Sequence, residues 1–280
     1  MSGTLYVVAT PIGNLDDLSP RARQTLADVD LVAAEDTRHT GRLLSHFGIK
    51  TRLLALHEHN EKERAKKLID ELLEGRSIAL VSDAGTPLIS DPGYRVVHAA
   101  REAGITVTPV PGPSAMTAAL SVSGLPTDRF CFEGFLPAKK KARRDLLARL
   151  SAETRTLVFY ESIHRICESL ADLEKAFGPD RPAFFARELT KVHEECIGAT
   201  LGQLRQHADS GEIVQKGEVV LVVSGTEIAA GSTIDVDWLL DELAGKMPDK
   251  EVARIVAMAT GEKRNKLYKR LLERASGPSK

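Results

Sequence analysis

Five short runs of aliphatic and β-branched residues, each followed by a helical stripe, fill the first 123 residues and leave few folds open. The runs are Leu5–Ala9, Leu31–Ala34, Arg52–Ala55, Ser77–Ser82 and Thr106–Val110. Each has the length of a strand, and the near-continuous apolar character suits burial on both faces. Helices are expected at Pro20–Ala27, Thr37–Phe47, Asn60–Glu74, Gly93–Ala103 and Ser114–Ser123. In Asn60–Glu74 the apolar positions Ala65, Leu68, Ile69, Leu72 and Leu73 form a stripe with charges opposite. Strands alternating with helices predict a mostly parallel sheet covered on both sides, an α/β fold.

Turn chemistry at Ser123-Gly124-Leu125-Pro126-Thr127-Asp128 breaks this pattern and places a boundary there. A second α/β domain is expected over 124–228. Its strands lie near Phe130–Glu133, Thr156–Tyr160, Ala183–Arg187, Glu195–Thr200 and Glu218–Ser224, its helices near Lys139–Ser151, His164–Phe177 and Leu201–Asp209. Gly225–Ser232 reads as a linker. Three short helices are then predicted, Val236–Ala244, Lys250–Thr260 and Glu262–Arg274. The last two are joined by Thr260-Gly261 in the manner of a helix-turn-helix pair, and Ser276–Lys280 is expected to fray. The domain plan is therefore 1–123, 124–228 and a helical appendage over 234–280.

The net charge of −1 conceals a division. Residues 246–280 hold ten Lys and Arg against four acids, a local net of +6, so the remainder carries −7. A basic tail on an acidic body is what contact with a phosphate backbone requires, although a solvated helical face has the same look. A second basic stretch, Lys139-Lys140-Lys141-Ala142-Arg143-Arg144, opens the second domain. No apolar run reaches the ~18 residues of a membrane span, and Met1-Ser2-Gly3-Thr4 leads straight into a strand. Cys131, Cys167 and Cys196 fit neither a disulfide framework nor a zinc site. A cytoplasmic location is the expectation.

Three loops carry chemistry. Val8-Ala9-Thr10-Pro11-Ile12-Gly13-Asn14-Leu15 leaves the first strand, at the edge where open α/β sheets bind ligands, and Gly13 would let the backbone approach a ligand closely. Ser82-Asp83-Ala84-Gly85-Thr86-Pro87-Leu88-Ile89-Ser90-Asp91-Pro92-Gly93 follows the fourth strand. Its two aspartates can cap the next helix or accept hydrogen bonds from a polar cofactor. Val110-Pro111-Gly112-Pro113-Ser114-Ala115 leads into a helix with Ser114 as its N-cap, and its small residues leave room for a planar adenine. The glycine-rich dinucleotide fingerprint is absent.

Together these loops resemble those of the tetrapyrrole methylase superfamily of S-adenosylmethionine-dependent enzymes. There the first loop is usually G-x-G-P-G-D and the second G-D-P-x-x-x-S. Here they read Thr10-Pro11-Ile12-Gly13-Asn14 and Gly85-Thr86-Pro87-Leu88-Ile89-Ser90. In those departures the chain resembles one branch, the ribosomal RNA small subunit methyltransferase I family. Further matches are Ala34-Glu35-Asp36-Thr37-Arg38, His57-Glu58-His59-Asn60-Glu61, Phe159-Tyr160-Glu161-Ser162-Ile163-His164-Arg165 and Ala186-Arg187-Glu188-Leu189-Thr190-Lys191-Val192-His193-Glu194. The resemblance spans essentially the whole chain. It implies two α/β domains with a cofactor cleft between them and a C-terminal helical appendage, commonly in a homodimer. The implied reaction is S-adenosylmethionine-dependent methylation of a cytidine 2′-oxygen in 16S rRNA of the 30S subunit, at cytidine 1402 of the decoding region.

By position, the resemblance puts the cofactor against Ile12 and Gly13 in the first loop. In the second loop it falls against Asp83, Gly85, Thr86, Pro87 and Ile89, and in the third against Ser114 and Ala115. Tyr160, Arg187 and Val219 are assigned from the second domain by strand ends alone. A ribose hydroxyl is a weak nucleophile near neutral pH, so a base or groups that stabilise a developing alkoxide are sought among Glu35, Asp36, His57, His59, Glu188, Lys191 and His193. Lys191 and Asp36 are the catalytic candidates. Lys191 would work as a base only if burial or a neighbouring cation depressed its pKa, and otherwise as a phosphate clamp. Arg38, His57, His59, Glu188 and His193 are assigned to the substrate, with Lys263, Arg264 and Lys266 on the appendage; Arg38 and Arg187 suit bidentate phosphate contacts. His57 and His59 have no obvious third ligand, so no metal is expected. Two alternatives stay open, a small-molecule methylase acting on a tetrapyrrole precursor and a non-catalytic RNA-binding module that keeps the fold.

Overall fold

The computed structural model describes residues 2–57, 59–226, 236–260 and 262–275. The chain divides into two compact units, Met1–Gly225 and Thr226–Lys280.

The first unit contains two five-stranded sheets. Strands β1 (Thr4–Val8), β2 (Leu31–Ala34), β3 (Leu53–Ala55), β4 (Ile78–Val81) and β5 (Thr106–Val110) form one, in the order β3-β2-β4-β1-β5. Every pairing in it is parallel. Helices α1 (Pro20–Asp28), α2 (Thr37–His46), α3 (Glu61–Leu73) and α4 (Tyr94–Glu102) supply the crossovers. The period of two along β4 shows why both faces must be covered. Ile78 and Leu80 join the cluster under α3 and α4, and Ala79 and Val81 join the one under α1 and α2. The predicted parallel α/β sheet is therefore present, and the predicted strands and helices lie within a few residues of the observed ones.

The second sheet is built from β6 (Phe130–Phe135), β7 (Thr156–Ser162), β8 (Pro182–Arg187), β9 (Glu195–Thr200) and β10 (Glu218–Val223), ordered β6-β7-β10-β8-β9. Only β6 and β7 run parallel; the other three pairings are antiparallel. Helices α6 (Lys140–Leu150), α7 (Ile166–Phe177) and α8 (Leu201–Asp209) cover one face. The other face receives α5 (Ala115–Val122), whose Ala119 and Leu120 pack with Ile12 against Val158, Phe184, Ala186, Val220 and Val222. This apolar seam fixes the two sheets against each other within the unit. It also explains why β7, β8 and β10 are almost continuously hydrophobic.

One expectation about charge is corrected. In the basic stretch at 139–144, Arg143 is fully buried and Arg144 is half-committed. Asp172 of α7 accepts from Arg143 Nε at 2.8 Å and from Arg144 Nε at 2.6 Å, and Glu168 takes Arg143 Nη2 at 3.1 Å. These two arginines bind α6 to α7 and do not form a phosphate-reading array. Lys139, Lys140 and Lys141 remain exposed.

The second unit contains α9 (Val236–Leu243), α10 (Asp249–Thr260) and α11 (Arg264–Ala275) around a core of Leu240, Val252, Ala253, Val256, Leu267 and Leu271. Arg270 of α11 pairs with Asp237 of α9, so it acts inside the unit. Lys263 and Arg264 are exposed, and Lys266 lies 3.1 Å from Glu262. The turn at Gly261, the linker at 227–232 and the terminal 276–280 lie outside the described residues.

Candidate active site

The loops that follow β1 and β4 meet at the carboxyl edge of the parallel sheet. Thr10 N donates to Gly85 O at 2.9 Å and Gly85 N to Thr10 O at 3.1 Å, a small antiparallel bridge that zips the two loops together. Gly85 has φ +83°, and a Cβ there would stand 3.2 Å from Ile12 Cγ2. Thr86 Oγ1 donates to Pro113 O at 3.0 Å, tying in the third loop. Asp36 N donates to Asp83 Oδ1 at 2.9 Å and so fixes that carboxylate.

Neither aspartate of the second loop caps the next helix. Glu61, the first residue of α3 and itself buried, reaches across to accept from Gly93 N at 3.1 Å and Arg95 N at 2.8 Å. The cap at α4 is thus supplied from another helix, which leaves Asp83 and Asp91 turned to a different use. Sequence reasoning missed Glu61, although a Glu beginning a helix just after His57-Glu58-His59-Asn60 was open to view.

These loops form one side of a cavity of about 410 Å³. Ile12, Asp83, Gly85, Thr86, Ile89 and Ser90 line it from the first two loops, and Ser114 and Ala115 from the third. Tyr160, Val219 and Leu189 close it from the second sheet, with Phe135 and Gly217. Ser114 occupies the N-cap position of α5 but makes no capping hydrogen bond, so the helix end is left without its side-chain partner. Five acidic residues, Glu35, Asp83, Asp91, Glu161 and Glu218, line this cavity, and among the described residues no Lys, Arg or His does. Burial pushes the Asp91 carboxyl up to about 6, and the nearby Asp83 carboxylate adds to the effect while the Ser82 hydroxyl opposes it. Burial also pushes the Tyr160 phenol up.

The size and chemistry of this cavity fit S-adenosylmethionine. Its volume lies within the range of small-molecule sites. Glu161 is paired with Arg165 at 2.6 Å and Glu218 with Lys191, so a ligand carrying sulfonium and ammonium charges would be drawn chiefly to Asp83 and Asp91, whose crowding it would relieve.

A second cavity of about 370 Å³ adjoins the first and shares Ile12, Asp83, Ala84 and Glu218 with it. Lys191 and Gly13 belong to this second cavity alone. A Cβ at residue 13 would come within 2.2 Å of Lys191 Cγ, so the glycine makes room for the lysine stem and not for a ligand in the first cavity. Asn14 N donates to Thr190 Oγ1 at 3.2 Å beside it. Lys191 Nζ lies 2.7 Å from Glu188 Oε1 and 3.0 Å from Glu218 Oε2. Burial alone would lower its pKa, but the two carboxylates outweigh it and hold the ammonium above its usual range. The condition for Lys191 to act as a base is therefore not met, and it stands as a charged donor. Gly217, at φ +107°, is required in turn because a Cβ would lie 2.4 Å from Glu188 Cγ.

Other expected residues have different tasks. Asp36 lines neither cavity. It caps α2, and its carboxylate, bonded to the Arg38 side chain and backbone, is lowered to about 2, too weakly basic to take a hydroxyl proton. Arg38 is thereby closed on Asp36, at 2.9 Å, though exposed. Arg187 is buried, with Nε 2.8 Å from Glu195 and Nη1 2.9 Å from Lys216 O, so it holds β8 and cannot offer a fork to cofactor or phosphate. Pro87 is buried and lines neither cavity. His57 donates its backbone N–H to Asn60 Oδ1 at 2.9 Å, and its ring lies 6.1 Å from that of His59. His57, His59 and His193 line neither cavity. Among the described residues no cluster of three or more His, Cys, Asp or Glu is placed to hold a metal.

Among the described residues, positive φ outside glycine is confined to this region. Leu88, Ser90, Glu188 and Thr190, the four non-glycine residues with positive φ among those described, all lie in the loops that wall the two cavities.

Comparison with known proteins agrees with the geometry. Residues 4–205 match the family profile Tetrapyrrole (Corrin/Porphyrin) Methylases, and residues 230–275 match RsmI C-terminal HTH domain. The chain is 54% identical to a ribosomal RNA small subunit methyltransferase I of Escherichia coli O157:H7, covering 97% of this chain and 95% of the relative. It is 55% identical to the protein of that name from Xylella fastidiosa (strain Temecula1), with 95% and 98% covered. Among solved structures, the uroporphyrin-III-C-methyltransferase of Thermus thermophilus superposes with TM-score 0.55 at 23% identity, covering 79% of this chain and 94% of that one. Diphthine synthase superposes with TM-score 0.58 at 18% identity, covering 79% and 90%. These two share the fold.

Proposed function

Because the chain belongs to the ribosomal RNA small subunit methyltransferase I family, we propose that it transfers a methyl group from S-adenosylmethionine to the ribose 2′-oxygen of a cytidine in 16S rRNA. The proposed target is cytidine 1402 of the decoding region, on the 30S particle, with a cytoplasmic homodimer as the working form. The observation that carries this reading is the acid-lined first cavity, with no basic side chain among its described lining, sharing a wall with a second cavity that holds Lys191.

When bound, S-adenosylmethionine supplies an electrophilic methyl group. Asp83, Thr86, Ile89, Ser114 and Ala115 would hold it from the first sheet, and Tyr160 and Val219 from the second. The chain's own work is then positioning and charge. The shared wall of Ile12 and Ala84 leaves an approach for the hydroxyl from the second cavity, and in-line displacement depends on that alignment. Lys191 Nζ, kept protonated by Glu188 and Glu218, donates to the oxygen as negative charge develops on it. Glu218, whose carboxylate is largely exposed, stands where the released proton can pass to solvent. The C-terminal unit, with exposed Lys263, Arg264 and Lys266, supplies sequence-independent phosphate contacts.

The test is transfer of a tritiated methyl group to 30S particles, with uroporphyrinogen as competing acceptor and primer extension to locate the product. Labelled ribose at a single small-subunit cytidine is expected. Label on the tetrapyrrole instead, or calorimetry showing no donor binding at all, would overturn the reading in favour of a small-molecule methylase or a non-catalytic RNA-binding module.

A further inference from the structure

Helix α2 carries a stripe that the catalytic reading does not use. His39, Arg42 and His46, three and four residues apart, lie on one helical face, and all three line the second cavity. Lys191 lies on the same cavity, so four cationic or protonatable side chains surround it, against Asp83 and Glu218 on the wall shared with the first. The described lining of the first cavity thus holds acids only, whereas its neighbour adds the bases, three of them gathered on α2.

Arg42 differs from the other arginine of this helix. Arg38 is closed on Asp36 through two side-chain hydrogen bonds, of 3.2 and 2.9 Å. Arg42 is exposed, and among the described residues its guanidinium makes no hydrogen bond or ion pair. An uncommitted planar fork on a cavity wall, flanked one turn away on each side by an imidazole, is suited to an anion with several oxygens.

We infer that the second cavity is the phosphate subsite for the RNA strand, in which Arg42, with His39 and His46, grips a phosphodiester next to the reacting ribose. This rests on the function proposed above and names how its substrate is seated. The shared wall of Ile12, Asp83 and Ala84 then sets the distance between the gripped phosphate and the methyl donor. The subsite takes a strand whose target nucleotide is unpaired, because a ribose held in a duplex cannot enter a cavity of this size beside its own phosphate. The residues select for the polyanionic backbone and leave choice of base to other contacts.

The experiment uses the full-length chain. Affinity for 30S particles and for a single-stranded RNA oligonucleotide is measured against salt concentration, donor affinity by calorimetry, and methyl transfer under single turnover. Arg42→Gln should weaken RNA binding by about tenfold and reduce the salt slope by about 0.7, the loss of one single-strand phosphate contact. Donor affinity should stay within about twofold. Arg42→Lys should recover part of the binding and most of the salt slope, and His39→Gln with His46→Gln should show a smaller loss of the same kind. Unchanged RNA affinity and slope in Arg42→Gln, with wild-type transfer intact, would sink the subsite and leave the proposed function standing. Equal loss of donor and RNA binding would mark Arg42 as structural and also overturn it. Failure of the wild-type chain to methylate 30S particles would instead count against the function itself.

Discussion

Lys191 lays its aliphatic stem across Gly13, so closely that any side chain at residue 13 would collide with it. The first loop of one sheet and the strained 188–194 loop of the other are matched at this point. Gly13→Ala should therefore displace Lys191 from Glu188 and Glu218 while leaving the first cavity's lining in place. Single-turnover methyl transfer should fall by about tenfold or more, since misplacement of about 1 Å is costly in a positioned reaction. Donor affinity, read by calorimetry, should change little. Wild-type transfer in Gly13→Ala would show that the position of Lys191 is immaterial.

The charge state of Lys191 gives a second prediction. Its ammonium is held above the ordinary range by two carboxylates that outweigh burial, so it stays protonated through neutral and mildly alkaline pH. A pH profile of single-turnover transfer should show no inflection from this lysine between about pH 7 and 9, where a base with a lowered pKa would titrate. Lys191→Arg should keep more activity than Lys191→Met. A profile that rises through that window in the wild type and flattens in Lys191→Arg would restore the lysine to the role of base.

What could be read from the sequence, and what could not, divides along the range of the interactions. Runs such as Ser77–Ser82 announce a strand buried on both faces because each residue's own chemistry carries the signal. The antiparallel turn from β8 to β9 was not drawn from the sequence, although 188–194 is too short for the crossover helix that parallel strands need. Arg143 could not be placed: a run of six with five cations looks solvated until Asp172 of α7 is brought against it. Gly13 was read as a place where a ligand approaches the backbone; the group that lies against it is the stem of Lys191, far away in sequence. The stripe of His39, Arg42 and His46 had legible spacing on α2. Its meaning depended on a facing wall contributed by residue 191.

Asp91 predicts a pH-dependent stability. Burial raises its carboxyl to about 6, so the folded chain holds a proton that the unfolded chain, titrating near 3.9, releases earlier. The contribution favours folding below about pH 4 and is lost as pH rises through about 6. Asp91→Asn should thus stabilise the ligand-free protein at pH 8 by about 1 kcal/mol, allowing for solvent screening of a half-buried group. The gain should vanish near pH 4. Thermal melts of both proteins across that range check it, and a gain independent of pH would assign the effect to something other than ionisation.

Asp172 predicts the opposite sign. Burial alone would raise its carboxyl, but the Arg144 and Arg143 guanidinia outweigh that and hold it below the usual carboxylate range. Its stabilisation is present above about pH 4 and is lost as pH falls through the lowered folded value. Removing the carboxylate leaves Arg143, whose side chain is fully buried, with the exposed Glu168 as its one remaining carboxylate partner among the described residues. Asp172→Ala should cost about 3–5 kcal/mol at pH 7. Lys140→Ala with Lys141→Ala, both exposed, should stay within about 0.5 kcal/mol. Denaturant titration separates the two, and a mild Asp172→Ala would mean that α6 and α7 hold together without the ion pair.

Glu61 links stability to donor binding. Its buried carboxylate accepts from the amides of Gly93 and Arg95, and so anchors the end of the loop that carries Asp83, Thr86, Ile89 and Asp91. Glu61→Ala leaves both amides without that acceptor, at a cost of about 2–3 kcal/mol, whereas Glu61→Gln keeps a neutral acceptor and should cost about half as much. Loosening the anchored end should also let the strained Leu88 and Ser90 relax out of their positive φ values, which spreads the loop away from the cavity it lines. Donor affinity should therefore fall in the order wild type, Glu61→Gln, Glu61→Ala, measured by calorimetry at a temperature where all three are folded. If stability fell in that order while donor affinity did not, the loop would be held in shape by its bridge to Thr10 alone, and Glu61 would serve the fold and not the site.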